Sequence, residues 1–133
     1  MEVKIIAPFR QIVPMKRVAD KKYTINLNQY RNWHPMVENK VKKQYTDDMA
    51  DQMENLGDLG IVDVTYQVFK PTNRKLDRMN VISITSKYCL DALVHYGCLS
   101  DDNDDIVRNE YILPTQLDRT NPRVEVTIKQ VAI

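Results

Sequence analysis

Two sets of acidic residues bracket one apolar stretch of the chain. Asp77 precedes it, and Ser100-Asp101-Asp102-Asn103-Asp104-Asp105 follows it. Carboxylates gathered from two such places are the hard oxygen ligands that Mg²⁺ takes, usually with several waters retained. A cation held in this way activates water and neutralises charge on an attacked phosphate. A nearby ammonium, here that of Lys87, then stabilises developing negative charge or orients the water. These residue types point to metal-assisted phosphodiester hydrolysis if Asp77 and Asp102 end neighbouring strands or loops and converge. A plain acidic turn between a helix and a strand is the competing reading of the aspartate run. A calcium loop of the EF-hand type is excluded. Counting from Asp101, it needs Gly at the sixth position and Glu at the twelfth, where the chain has Ile106 and Ile112.

The stretch between the acidic sets suits a helix over residues 80–96. At about 100° per residue, Asn80, Ser83, Lys87 and Asp91 fall on one narrow stripe. Almost every other residue of the segment is apolar, as in a buried helix. A polar stripe on a buried helix must find partners or line a cleft. On a half-exposed helix it simply faces solvent, and the sequence leaves both open.

Other chemistry has little to rest on. His34 and His95 are the only histidines, and neither has metal-ligand spacing. A catalytic triad has too few candidates. Cys89 falls on the apolar helix and reads as packing. Neither GxGxxG nor GxxxxGK[ST] occurs, which argues against the common nucleotide-binding fingerprints. Tyr30 and Trp33 beside Arg31 could stack on exposed bases, although aromatic residues next to a helix start more often belong to the local core.

The rest of the chain must position these groups. Residues 2–7 are a short apolar run that reads as a strand. Pro8 and Pro14 break the segment after it, so residues 8–34 read as irregular or as short extended pieces. Pro35 opens a helix. Val37, Val41, Tyr45, Met49 and Met53 recur every four residues, with Leu56 next, and Gly57 and Gly60 end it. Residues 61–69 alternate, with Val62, Val64, Tyr66 and Val68 on one face. A basic loop follows, and residues 107–113 and 123–131 complete the strands. The order predicts an α/β (α+β) fold over residues 1–133. It is a single domain with a small mixed sheet of about four strands and two helices packed on it.

Composition bounds the function classes. The chain has 133 residues, 43% hydrophobic and 28% charged, and a net charge of +1. No apolar run approaches the roughly 20 residues of a membrane span. The N-terminus does not read as a signal peptide. Two cysteines make neither a disulfide scaffold nor a four-ligand zinc site, so a reducing, cytoplasmic location is expected. The net charge hides a split. Residues 1–46 carry +7 and residues 47–133 carry −6. The first part suits a polyanion and the second a cation. Candidate phosphate contacts are Arg31, Lys40, Lys42, Lys43, Arg74, Lys75 and Arg78.

The stretch RKLDRMN…KYCLDALVHYGCLSDDNDDIV resembles the signature region of RusA-type Holliday-junction resolvases, many of them phage-encoded. The matching residues are Lys75, Asp77, Asn80, Lys87, Asp91-Ala92-Leu93, Gly97 and Asp101-Asp102. LNQYRNWH is similar, more weakly, to that family's Asn/Tyr/Arg element. The strong match covers roughly residues 74–107, about a quarter of the chain. The resemblance implies a small α/β domain working as a homodimer in the cytoplasm, that of a bacterial host if phage-encoded. It implies Mg²⁺ or Mn²⁺ held by aspartates to cut paired strands at a DNA branch point such as a four-way junction. Asp77 then corresponds to the first metal aspartate and Asp102 to the last, with Asn80 at the DNA.

Two departures bear on activity. Met79 stands at the position of the family's second aspartate, and a thioether is a poor Mg²⁺ ligand. Ser83 stands where the catalytic lysine is usual, and Lys87 lies one turn further along the same face, a shift of about 5 Å. One reading rebuilds the metal site with Asp91, Asp101 or Asp105. A second is a non-catalytic module that binds branched DNA. A third is a structural protein sharing only the fold.

Overall fold

The computed structural model describes residues 1–131. It has an α+β architecture: a mixed five-stranded sheet, four helices and a separate two-stranded hairpin. β1 (Glu2–Pro8), β7 (Arg123–Gln130), β4 (Val62–Lys70) and β5 (Val107–Ile112) lie side by side in that order, and the two-residue β6 (Gln116–Leu117) pairs with the end of β4. β7 is antiparallel to both β1 and β4, whereas β5 runs parallel to β4. A parallel neighbour requires a crossover, and α4 (Arg78–His95) supplies it.

The alternation read over residues 61–69 is the strand that anchors the core. Val62, Val64, Tyr66 and Val68 are all buried, while Asp63, Thr65 and Gln67 lie on the opposite, partly solvated face. Val124, Val126 and Ile128 of β7 and Ile5 and Ala7 of β1 continue the same buried face. Helices cover it. α4 contributes nine buried residues, among them Ile84, Tyr88 and Leu93. α2 (Pro35–Asp48) adds Val41 and Tyr45, and the four-residue α3 (Ala50–Met53) adds Met53.

Several expectations are corrected. The helix predicted from Pro35 to Leu56 is two helices. At Met49 the backbone sits at φ −82°, ψ −9°, and its N–H is shared between the carbonyls of Tyr45 and Thr46. The four-residue stripe continues across the break because Met49 and Met53 stay on the buried face. Residues 8–34 do hold short extended pieces, and what the prolines hide is that two of them pair and that a helical turn follows. β2 (Arg10–Val13) and β3 (Lys21–Thr24) form an antiparallel hairpin, and α1 (Leu27–Tyr30) follows, capped by the Asn26 side chain. Among the described residues the helices therefore number four, two of them of only one turn, and the main sheet has five strands.

The two edges of the sheet differ. On β1, the Gln52 side chain accepts a hydrogen bond from the Ile6 N–H at 2.7 Å and donates to the Ile6 carbonyl at 2.9 Å. β5 forms the other edge, with five of its six residues exposed.

Candidate functional site

α4 carries a different charge at each end, and local sequence explains both. At its start Asp77 is extended, and its Oδ1 accepts a hydrogen bond from the Met79 N–H at 3.1 Å. This is an N-cap, which satisfies one of the orphan donors of the first turn. Asp77 thus has a structural task beside any chemical one, and two substitutions separate them. Asp77→Ala is expected to lower stability by about 1 kcal/mol, whereas Asp77→Asn changes it by only a few tenths, because Asn caps as well as Asp. Urea midpoints for the two proteins check this.

Around that end the cations are free. Arg10, Lys70, Arg74 and Lys75 line a recess of about 290 Å³ with Phe9 and Thr72. The Arg10 guanidinium lies 5.5 Å from the Phe9 ring centroid, and Lys70 Nζ donates to the Arg74 carbonyl at 3.0 Å. Arg10, Arg74, Lys75 and Arg78 are exposed, and none is in an ion pair among the described residues. Arg74, Lys75 and Arg78 were legible as a basic loop. Arg10 and Lys70 were not, because hairpin and strand ends bring them to that loop from distant sequence.

The helix ends in a Schellman turn. Gly97 takes φ +75°, the Gly97 N–H bonds to the Val94 carbonyl, and the Cys98 N–H bonds to the Leu93 carbonyl at 2.8 Å. A side chain at that φ is strained, so glycine suits the turn. The chain then enters the aspartate run. Lys42, Thr46, Asp91, His95, Asp101 and Asp102 line a hollow of about 440 Å³ between α2 and α4. Lys42 Nζ pairs with Asp91 Oδ2 at 2.8 Å. Asp101 accepts from the Asp102 N–H at 2.7 Å and from Asn103 Nδ2 at 3.1 Å. Desolvation raises the Asp102 carboxyl above its ordinary value; the hydrogen bond with Asp101 and the charge of Asp91 add to the rise.

Asp77 and Asp102 do not converge within one chain. The rise from Asp77 to Asp91 alone is about 21 Å at 1.5 Å per residue, and Asp102 sits in the hollow beside Asp91. Lys87 is exposed and stands about 15 Å along the axis from Asp77. Asp105 is exposed, with its N–H bonded to Asn103 Oδ1, and does not line the hollow. Among the described residues no three His, Cys, Asp or Glu side chains are grouped to hold a metal ion. Within one chain Asp91, Asp101 and Asp102 share the hollow, and Asp77 stands apart from them at the other end of α4.

Other candidates fall into place individually. Ser83 and Lys87 are exposed and Asn80 and Asp91 half-buried, so the polar stripe faces solvent and reaches a hollow only at Asp91. Lys42 and Lys43 are not free cations, since Lys43 pairs with Asp47 at 3.1 Å and Lys42 with Asp91. Arg31 and Lys40 are exposed. Tyr30 and Trp33 join an edge-to-face chain from Tyr23 to Tyr88 and Tyr45, which makes them packing residues. Burial pushes the Cys89 thiol up to about 12, which removes it as a nucleophile near neutrality. No helix among the described residues is long and apolar enough to cross a membrane.

No protein-family model matches the chain, and no curated protein matches it.

Proposed function

We propose that the protein is a metal-dependent, structure-selective endonuclease that cuts branched DNA such as a four-way junction, and that it acts as a homodimer. The observation that supports this reading is the division of charge along α4. Free cations surround its start, and carboxylates gather at its end. The first group suits phosphates and the second a hard cation. A two-fold pair with antiparallel α4 helices removes the obstacle of separation. It carries the Asp77 end of one copy to the Asp102 end of the other. Asp77, Asp101 and Asp102 would then hold Mg²⁺ or Mn²⁺, which supplies activated water and charge neutralisation when bound. Arg10, Arg74, Lys75 and Arg78 would grip the backbone.

A synthetic four-way junction tests the reading. Binding is expected to weaken steeply with salt, and Arg74→Ala or Lys75→Ala should each reduce the salt slope by about one. Cutting is expected with Mg²⁺. A junction left intact by wild-type protein at every divalent metal would sink the nuclease reading. Met79 favours one alternative, a module that binds branched DNA without cutting. It is 49% exposed at the start of α4 and supplies no hard ligand. On that reading binding survives EDTA, and Met79→Asp creates cutting.

A further inference from the structure

We infer that the β2–β3 hairpin is a second DNA contact, a cationic ribbon that carries one phosphate backbone from the recess at the start of α4 to the hairpin tip. This contact rests on the protein's binding of DNA and is independent of cutting.

The hairpin concentrates the charge of the N-terminal part of the chain. Residues 10–24 hold Arg10, Lys16, Arg17, Lys21 and Lys22 against the single Asp20, which makes +4 of the +7 carried by residues 1–46. All five cations are exposed, and none is in an ion pair among the described residues. Asp20 is used within its own loop, where Oδ1 accepts from the Met15 N–H at 3.4 Å. Asp48 lines one hollow with Arg10 and Lys22, yet neutral amides hold both of its oxygens. Gln11 Nε2 donates to it at 2.7 Å and Gln44 Nε2 at 2.8 Å. Gln11 is 2% exposed, so the fold itself fixes that donor. Like charges left unpaired on one element repel each other, and a polyanion relieves the repulsion.

Register sorts the side chains. Arg10 lies opposite Thr24 and Ile12 opposite Lys22, and directly opposed residues share a face. Gln11 and Val13 are buried on the inner face, so Arg10, Ile12 and Lys22 make the outer one. At its base this outer face joins the recess that Arg10 lines with Lys70, Arg74 and Lys75. Beyond its other end, the loop of residues 14–20 faces α2 across a second recess of about 610 Å³. There Lys16 and Arg17 are joined by Lys40, which is also exposed and outside any ion pair among the described residues. The ribbon from Arg10 to Val13 is about 10 Å long at 3.4 Å per residue. One DNA strand sets a phosphate every 3.4 Å or so along the axis. A backbone laid along the hairpin therefore places about three phosphates between the two recesses, beside Lys22.

The apolar residues of the hairpin separate two partners. Ile12 is 48% exposed on the outer face and Val18 is 62% exposed at the tip. A membrane surface would require a broad apolar face to bury, and these two large side chains do not make one. A line of cations continuous with the recess of Arg74 and Lys75 suits a phosphate backbone instead.

Fluorescence anisotropy of a labelled four-way junction in EDTA reads binding without cutting. Log affinity is expected to fall linearly with log salt, and Lys22→Gln should reduce the slope by about one and Lys16→Gln/Arg17→Gln by about two. Lys4→Gln removes the same charge at a residue that pairs with Glu125 at 3.0 Å, and should leave the slope unchanged. These positions are exposed, so the variants should melt close to wild type. Hairpin variants that keep the wild-type slope overturn this contact and leave the nuclease reading standing. A loss for Lys4→Gln equal to that for Lys22→Gln also overturns it, because net charge alone would then explain the binding. So does a protein that ignores the junction but is captured, through the hairpin cations, by vesicles of phosphatidylserine and phosphatidylcholine. Wild-type protein that binds neither junction nor vesicle overturns this contact and the DNA reading together. Hairpin-dependent binding by a protein that cuts with no divalent metal upholds the contact and removes the nuclease reading.

Discussion

Mixing two inactive variants, Asp77→Asn and Asp102→Asn, is expected to restore nicking of a four-way junction. Each alone should lose at least about 100-fold in rate, since even the outer-shell partners of a bound metal are worth 10–100-fold. The expected recovery follows from helix length. Asp77 caps the start of α4 and Asp102 lies beyond its end. A site using both must draw them from different copies. In a mixed pair one site has lost both aspartates and the other keeps both. Random exchange therefore returns about one quarter of the intact sites. Nicking is the proper readout, because one intact site cannot make paired cuts. A mixture as inactive as its components would place the site within one chain or deny it altogether. Full activity of both single variants would remove these aspartates from the chemistry. Asp77→Asn preserves the cap, so its loss of rate is not confused with a frayed helix.

Leu93→Ala should lower stability by about 2–5 kcal/mol, the range for a buried leucine truncated to alanine. For a chain of this size that is a melting temperature roughly 8–20 °C lower. Leu93 is fully buried on the last turn of α4, and its carbonyl accepts the Cys98 N–H that closes the Schellman turn. The backbone bond survives the substitution while the side-chain packing is lost. Ser83→Ala, on the exposed stripe, should move the melting temperature little. A shift for Leu93→Ala no larger than that of Ser83→Ala would mean that α4 is not packed as described. The effect should reach function too, because both charged ends depend on this one helix.

Much of the architecture was legible because hydrophobic period reports burial directly. β4 alternates from Val62 to Val68, and the four apolar residues of that run are the buried ones. Pro35 does start a helix, with His34 Nδ1 capping the Met36 N–H. What periodicity cannot report is continuity of hydrogen bonding. The stripe from Val41 to Met53 crosses the break at Met49 because both segments pack on the same core. Pro8 and Pro14 obscured the hairpin, although Pro8 is tolerated as the last residue of an edge strand. At the candidate site, residue types were readable and distances were not. Asp77 and Asp102 look like neighbours of one helix until its axial rise sets them at opposite ends. The Lys42–Asp91 pair joins residues far apart in sequence and needed the packing of α2 beside α4.

Gln52 has a consequence for assembly size. Its amide mimics a strand at Ile6 and so blocks a new strand from pairing along β1 at that point. A sheet with one closed edge and one open edge has a single growing end. Copies that met through the β5 edge would leave only this blocked edge outside, so association would stop at two rather than continue into a fibre. One glutamine side chain would thus separate a finite complex from open-ended polymerisation.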